Sequence, residues 1–165
     1  MSQQRIIVLM GSKTDLPFAR NIGGFLDREG FTVKCEYHVS SAHRTPDILL
    51  GKLGEHARSG ECIVYITVAG LSDALSGVVA GFAKYPVIAC PPDIERSGWT
   101  KAFSSVMTPV GVPVLLASKP ENAALAAVRI LALADPSLRG QIGGYMERKR
   151  SQVVRADEET AGENG

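Results

Sequence analysis

Residues 6–15 read IIVLMGSKTD, and this stretch decides the fold. Its first half is a short apolar run, rich in β-branched side chains and without polar alternation. Such a run is typical of a strand that is covered on both faces of a parallel sheet. Pro17 follows closely and suits a first helical turn, where the N–H that proline lacks would be unpaired anyway. The stretch therefore predicts a central strand, a loop at its carboxyl end and a helix.

The same succession of strand, loop and helix recurs along the chain. Further strands are predicted at residues 31–39, 62–68, 86–90 and 112–117. The helix that begins at Pro17 is predicted to end near Gly30, and the one after the loop at 69–77 to end near Lys84. Four more helices are predicted at residues 46–60, 100–106, 120–133 and 137–154. This alternation predicts an α/β three-layer sandwich: a flavodoxin-like parallel sheet of about five strands, with C-terminal helices.

The chain is expected to form one domain over residues 1–155. A chain of 165 residues is within the usual range for a single domain, and 45% hydrophobic content suffices for a continuous core. Residues 157–165 are acidic and contain no apolar side chain beyond Ala161, so residues 156–165 are expected to be a disordered tail.

Charge and composition exclude several classes of partner. Lys and Arg number 18 against 17 Asp and Glu, so no overall field attracts nucleic acid or an acidic membrane. No run approaches the roughly 18 apolar residues of a membrane span. Cys35, Cys62 and Cys90 are widely spaced in apolar or strand-like runs, which favours buried free thiols. We expect a cytoplasmic protein with no nucleic-acid or membrane partner.

Four unusual loops follow predicted strands: Gly11–Asp15, Ser40–Pro46, Ala69–Gly77 and Cys90–Asp93. In open parallel sheets, ligands bind outside the carboxyl ends of the strands, where the strand order switches direction. The loops are therefore predicted to converge on one pocket.

The second loop places His43 beside Arg44. An imidazole moves protons near neutral pH, and a guanidinium holds an anion with a planar fork. Together they indicate proton chemistry on an anionic substrate, although a lone histidine is more often a structural hydrogen-bonding group.

The other loops also have two interpretations each. Ser12 and Asp15 precede a helix and either bind an anion there or only cap the helix, and Asp15 also suits the hydroxyls of a ribose. The small residues of 69–77 let backbone N–H groups approach a ligand, while Ser72 or Asp73 suits a helix cap. Cys90 lacks a nearby base, and neither a metal-ligand constellation nor a dinucleotide fingerprint is found.

These motifs, in this order, resemble the phosphoribosylaminoimidazole carboxylases of purine biosynthesis, the PurE family. The resemblance runs from about Arg5 to about Val154 and rests on residues 11–15, the string SAHRTP at 41–46, the loop at 69–77 and CPP at 90–92. Residues 1–155 would then be a PurE-like catalytic domain.

The family has two branches. Class I isomerises N5-carboxyaminoimidazole ribonucleotide to the 4-carboxy product, and class II adds CO2 to C4 of aminoimidazole ribonucleotide. The loop at 69–77 and the later CPP resemble class II more closely. Leu71 and Asp73 stand where class II carries arginine and asparagine, and Arg44 stands where many class II members carry lysine.

The resemblance implies a role for each site residue. Ser12, Ser41 and Arg44 would bind the 5′-phosphate, Asp15 the ribose hydroxyls, and His43 would shuttle the C4 proton. Gly70, Leu71 and Ser72 would line the base and carboxylate pocket. CO2 would be the co-substrate, with no biotin, ATP or metal. The class I mutase reaction and a non-catalytic nucleotide-binding role remain alternatives.

The last two predicted helices bear on the assembly of the protein. The apolar helix at 120–133 and the helix after it offer more apolar surface than one small domain easily covers, which indicates a homo-oligomer. The family resemblance implies a tetramer or an octamer.

Overall fold

The apolar run at residues 6–10 forms an interior strand of a parallel sheet in the computed structural model, which describes residues 3–92, 94, 98 and 100–163. The sheet has five strands in the order β2-β1-β3-β4-β5, and every pairing is parallel. The strands are β1 Gln4–Met10, β2 Lys34–Val39, β3 Cys62–Val68, β4 Val87–Ala89 and β5 Leu115–Leu116. This order confirms the predicted flavodoxin-like fold.

Helices cover both faces of the sheet. They are α1 Leu16–Glu29, α2 Pro46–Arg58, α3 Ala74–Phe82, α4 Thr100–Val106, α5 Pro120–Leu131 and α6 Pro136–Glu163. A short 3₁₀ turn, Lys13–Asp15, precedes α1.

Strand β1 divides the core into two layers because its side chains alternate between the faces. Ile6, Val8 and Met10 pack with buried residues of α1 and α5, while Ile7 and Leu9 pack with buried residues of α2 and α3. All five are at most 2% exposed, and full burial of such a side chain contributes about 1.5–3 kcal/mol. The unbroken apolar run is thus explained by burial on both faces.

The outer strands are shorter than predicted. β5 contains only Leu115 and Leu116, paired with Ile88 and Ala89, although a strand was predicted over 112–117. Gly111 has a φ of 91° and Val112 donates its N–H to the Pro109 carbonyl, so a turn occupies the start of the predicted strand. The apolar residues at 112–117 predict a strand, but apolar content alone does not reveal a turn at its start.

The C-terminal helix differs most from expectation. Residues 156–163 continue α6, whereas the sequence predicted a disordered tail from residue 156. Helix-forming residues such as Ala156, Glu158 and Glu159 explain the continuation. Earlier in the helix, Tyr145 packs against Phe25 and Phe31, each at 5.8 Å between ring centroids.

The expected free thiols are present, with Cys90 buried and Cys35 and Cys62 half-buried. Burial raises the pKa of the Cys90 thiol to about 12, which agrees with an inert side chain. Over the described part of the chain, no helix combines the length and the apolar character that crossing a membrane requires.

Candidate active site

A cavity of about 760 Å3 lies at the carboxyl ends of β1, β2 and β3. The loop after each strand contributes to its wall. All eight predicted site residues line it: Ser12, Asp15, Ser41, His43, Arg44, Gly70, Leu71 and Ser72. The other lining residues are Gly11, Thr14, Ala42, Ala69 and Leu75; they belong to the loops predicted to form the pocket, but the sequence assigned none of them a role. Most of these side chains are small or apolar, so their chemistry alone does not indicate a role in binding.

The fourth loop does not share this cavity. Cys90 is fully buried, and Pro92 lines a separate cavity of about 280 Å3 together with Phe18 and Lys119. The predicted convergence of four loops is therefore wrong for residues 90–92, and Asp93 lies outside the described residues. The reason is the strand order: the cavity lies over the three adjacent strands β2, β1 and β3, and β4 lies outside them, two strand spacings (about 10 Å) from the central β1.

The loop after β1 forms a capping box. Ser12 Oγ accepts from the Thr14 N–H (3.3 Å) and lies 2.9 Å from Thr14 Oγ1, while the Ser12 N–H donates to Asp15 Oδ2 (3.1 Å). The capping interpretation is thus confirmed, yet both residues also line the cavity. Gly11 packs closely here, because a Cβ on it would lie 3.4 Å from Ala69 Cβ.

The loop after β2 is a hydrogen-bonded turn that presents His43 and Arg44. Ser41 Oγ accepts from the Arg44 N–H (3.2 Å), Thr45 Oγ1 accepts from the Ser41 N–H (3.2 Å), and the Thr45 N–H donates to the Ser41 carbonyl (3.0 Å). At its base, the Ser40 N–H donates to the Met10 carbonyl, which ties the turn to β1. The backbone between 41 and 45 is therefore held by its own polar groups.

His43 and Arg44 are exposed at the tip of this turn. Among the described residues, neither the imidazole nor the guanidinium has a hydrogen-bonding or ion-pair partner. His43 thus does not act as a structural hydrogen-bonding group within the described part of the chain, and both side chains can meet a ligand.

The loop after β3 has an uncommon backbone. Leu71 has a φ of 55°, the only positive φ outside glycine in the described residues, and its side chain is 87% exposed. Left-handed backbone is unfavourable for a side chain with a Cβ, so surrounding contacts must hold it.

Buried Asp73, two residues further along, anchors the same loop. Its carboxylate accepts from the Ser76 N–H (3.0 Å), from Ser76 Oγ (2.5 Å) and from Ser105 Oγ on α4 (2.7 Å). Its own N–H donates to Ser104 Oγ (2.8 Å). Asp73 therefore caps α3, as one interpretation of the sequence predicted, and joins the loop to α4.

The other two histidines lie away from the cavity. His38 Nε2 is 2.7 Å from a Glu36 carboxylate oxygen, and His56 Nδ1 is 2.9 Å from the Tyr65 hydroxyl. Neither was a predicted site residue, and neither lines the cavity.

The fold and the site together define a class: a flavodoxin-like α/β protein with a small-molecule cavity at the carboxyl edge of its sheet. Sequence comparison then identifies the family. The model of the family described as AIR carboxylase matches residues 5–152, and the chain belongs to this enzyme family of purine biosynthesis, also called PurE.

Relatives with two different names match nearly the whole chain. The phosphoribosylaminoimidazole carboxylase of Archaeoglobus fulgidus is 39% identical over 94% of this chain and 84% of its own length. The N5-carboxyaminoimidazole ribonucleotide mutase of Methanocaldococcus jannaschii is 37% identical over 93% of this chain and 95% of its own. The crystal structure of Treponema denticola PurE superposes with a TM-score of 0.88 at 35% identity, over 95% of this chain and 98% of that one.

Proposed function

We propose that this chain carboxylates aminoimidazole ribonucleotide at C4 with CO2, giving the 4-carboxy ribonucleotide. The observation that supports the proposal most directly is the exposed pair His43 and Arg44, which lie on a hydrogen-bonded turn in the wall of the cavity. The pattern of residues 69–77, and the relatives named carboxylase, support CO2 as the co-substrate.

The polar residues suit the ribose 5-phosphate. Arg44 would bind the phosphate by charge and geometry. Ser12 Oγ and Ser41 Oγ each accept a hydrogen bond from a backbone N–H, so each hydroxyl proton can be donated to a phosphate oxygen. Asp15 would accept from the ribose hydroxyls.

His43 would act as the base in the second half of the reaction. The aminoimidazole is an enamine, so its C4 attacks the carbon of CO2 and a C–C bond forms while one C=O π bond becomes a carboxylate. The intermediate carries both a hydrogen and the carboxylate on C4. His43 then removes the C4 proton, the C–H electron pair restores aromaticity, and the exposed imidazolium returns its proton to solvent.

No biotin, ATP or metal enters this scheme, because the substrate itself provides the nucleophilic carbon. Gly70, Leu71 and Ser72 would line the space for the base and the CO2, with Ala69 and Leu75 limiting access of water.

The class I mutase reaction is the second candidate, favoured by the Methanocaldococcus jannaschii relative that is named as a mutase. A paired assay discriminates the two. The purified chain is given either aminoimidazole ribonucleotide with bicarbonate or N5-carboxyaminoimidazole ribonucleotide, and the 4-carboxy product is measured.

Product from the first substrate alone is expected. Product from the second alone would replace the proposal by the mutase. Calorimetric binding without product from either would indicate a non-catalytic nucleotide-binding protein instead.

We also propose that the chain forms a homo-oligomer, a tetramer or an octamer. Large apolar side chains are exposed on α3, on α4, on the segment that follows α4 and on β5: Phe82, Phe103, Met107, Val110 and Leu115. Light scattering after size exclusion measures the mass, and a monomer at micromolar concentration would contradict this proposal.

A further inference from the structure

The charges around the cavity are distributed unevenly across the three loops. The loop after β2 contributes Arg44 and His43, and the loop after β1 contributes Asp15. The loop after β3 contributes no charged lining residue, but only Ala69, Gly70, Leu71, Ser72 and, from the helix that follows, Leu75. Among the described residues, the β3 side of the cavity therefore offers no cation to a ligand.

Leu71 is the most unusual residue on the β3 side of the cavity. Its side chain is 87% exposed and lines the cavity, and its left-handed backbone is not a conformation that leucine favours. A residue held in such a conformation at a binding site is a reason to look for a functional role.

The buried ionisable group of the same loop adds negative rather than positive charge. Asp73 is 3% exposed, and its carboxylate is stabilised by two serine hydroxyls and one amide, all uncharged. No ion pair joins it to a cation in the described part of the chain. Lys101 is buried on α4 but does not line the cavity.

We propose that Leu71 is a specificity-determining residue that makes the β3 side of the site prefer an uncharged substituent on the base to a carboxylate. This inference rests on the proposed function, which places the base and its C4 substituent on that side. A carboxylate next to the apolar Leu71 side chain would lose hydrating water, and no cation would compensate for this cost. It would also be repelled by the negative charge of the Asp73 carboxylate in the same loop. Neutral CO2 and the uncarboxylated nucleotide would be accommodated, whereas the carboxylated nucleotide would be released readily.

The test compares two ligands of the same shape that differ in charge: the 4-carboxy ribonucleotide and its 4-carboxamide analogue. Binding of each is measured by calorimetry in the full-length His43→Asn variant, so that turnover does not consume the ligand. We expect the carboxamide to bind more tightly. Leu71→Arg should shift the ratio of the two Kd values by about tenfold toward the carboxylate, because a charge-assisted hydrogen bond becomes possible.

Two further variants serve as controls. Leu71→Met keeps an apolar, unbranched-at-Cβ side chain on the same backbone and should leave the ratio as it is. Asp73→Asn removes the buried charge and should shift the ratio in the direction of Leu71→Arg, by a smaller factor.

Equal Kd values for the two ligands in the parent variant, or a ratio that Leu71→Arg leaves unchanged, would overturn the inference while the proposed function stands. If neither ligand binds any variant, the proposed function itself fails and the inference falls with it. Thermal unfolding of each variant shows whether a lost affinity comes from a lost fold.

Discussion

At the scale of single residues, His43 and Arg44 have different expected roles although they are neighbours. Both are exposed on the same turn, and both line the cavity. An imidazole can accept and release a proton, whereas a guanidinium keeps its charge and can only bind an anion. Substituting His43 should therefore lower turnover, whereas substituting Arg44 should weaken binding of the ribonucleotide.

His43→Asn is expected to keep nucleotide binding and to lower kcat by about 10²–10⁴-fold, the usual contribution of general acid–base catalysis. Asparagine keeps a polar side chain of similar size but cannot accept the C4 proton. Calorimetry with aminoimidazole ribonucleotide and a turnover assay check the two parts. Normal turnover would refute the assigned role.

Arg44→Ala should weaken binding of the ribonucleotide far more than binding of the free aminoimidazole base. The loss for the ribonucleotide should be about tenfold or more, because a charge-assisted contact to the phosphate is removed. Calorimetry with both ligands measures this, with Arg44→Lys as the variant that keeps the charge. Equal losses for both ligands would argue against a phosphate contact.

At the scale of elements, the loop after β3 depends on a helix that lies 31 and 32 residues further along the chain. Asp73 bonds to Ser104 and Ser105 of α4 as well as to Ser76 of α3. The local sequence indicates the α3 cap, since aspartate is a favoured N-cap residue. It gives no sign of the bonds to α4, because nothing in the local pattern identifies the distant partner.

Asp73→Ala is therefore expected to lower the free energy of unfolding by about 2–3 kcal/mol, since it removes a cap and leaves buried hydroxyls without their acceptor. Ser72→Ala is the matched control: Ser72 is exposed, its neighbour supplies the cap, and the change should stay within about 0.5 kcal/mol. Urea unfolding measures both. A similar loss in the two variants would contradict the role of Asp73.

The two halves of α6 should also differ in their contribution to stability. Tyr145→Ala removes a ring packed on Phe25 and Phe31, so we expect a loss of about 2–4 kcal/mol. Ending the chain after Ser151 removes residues 152–162, which are all exposed, together with the last three residues, and should change the thermal midpoint by about 2 °C or less. A large loss on truncation would contradict the expected difference between the two halves of α6.

At the scale of the whole molecule, stability should depend on pH through His56. Burial lowers the pKa of His56 from its ordinary value of 6.5, with Arg5 and His38 acting in the same direction and Glu36 and Glu55 opposing them. Above pH 6.5 the imidazole is neutral in both folded and unfolded chains. As the pH falls below 6.5 toward the folded-state pKa, the unfolded chain takes up the proton first, so stability is lost.

The thermal midpoint should accordingly fall between pH 7.5 and 5.5, and the fall should be smaller in His56→Gln. Glutamine can still bond to the Tyr65 hydroxyl, which His56 contacts at 2.9 Å, but it does not titrate. Calorimetric scans at the two pH values measure the difference. An equal fall in the two proteins would exclude His56 as the cause.

The sequence by itself determined the alternation of strands and helices, because burial on both faces leaves an unbroken apolar run in β1 and capping residues mark the helix starts. It also determined which side chains in the first two loops can do chemistry, since a residue's polar groups do not depend on the fold.

Only the tertiary structure decided which loops share a cavity, as the separate position of residues 90–92 shows. It alone decided that Leu71 faces the cavity in a left-handed conformation and that Asp73 is buried against α4. The physical reason is the same in each case: strand order and contacts between distant segments set these positions, and neither leaves a periodic pattern in the local sequence.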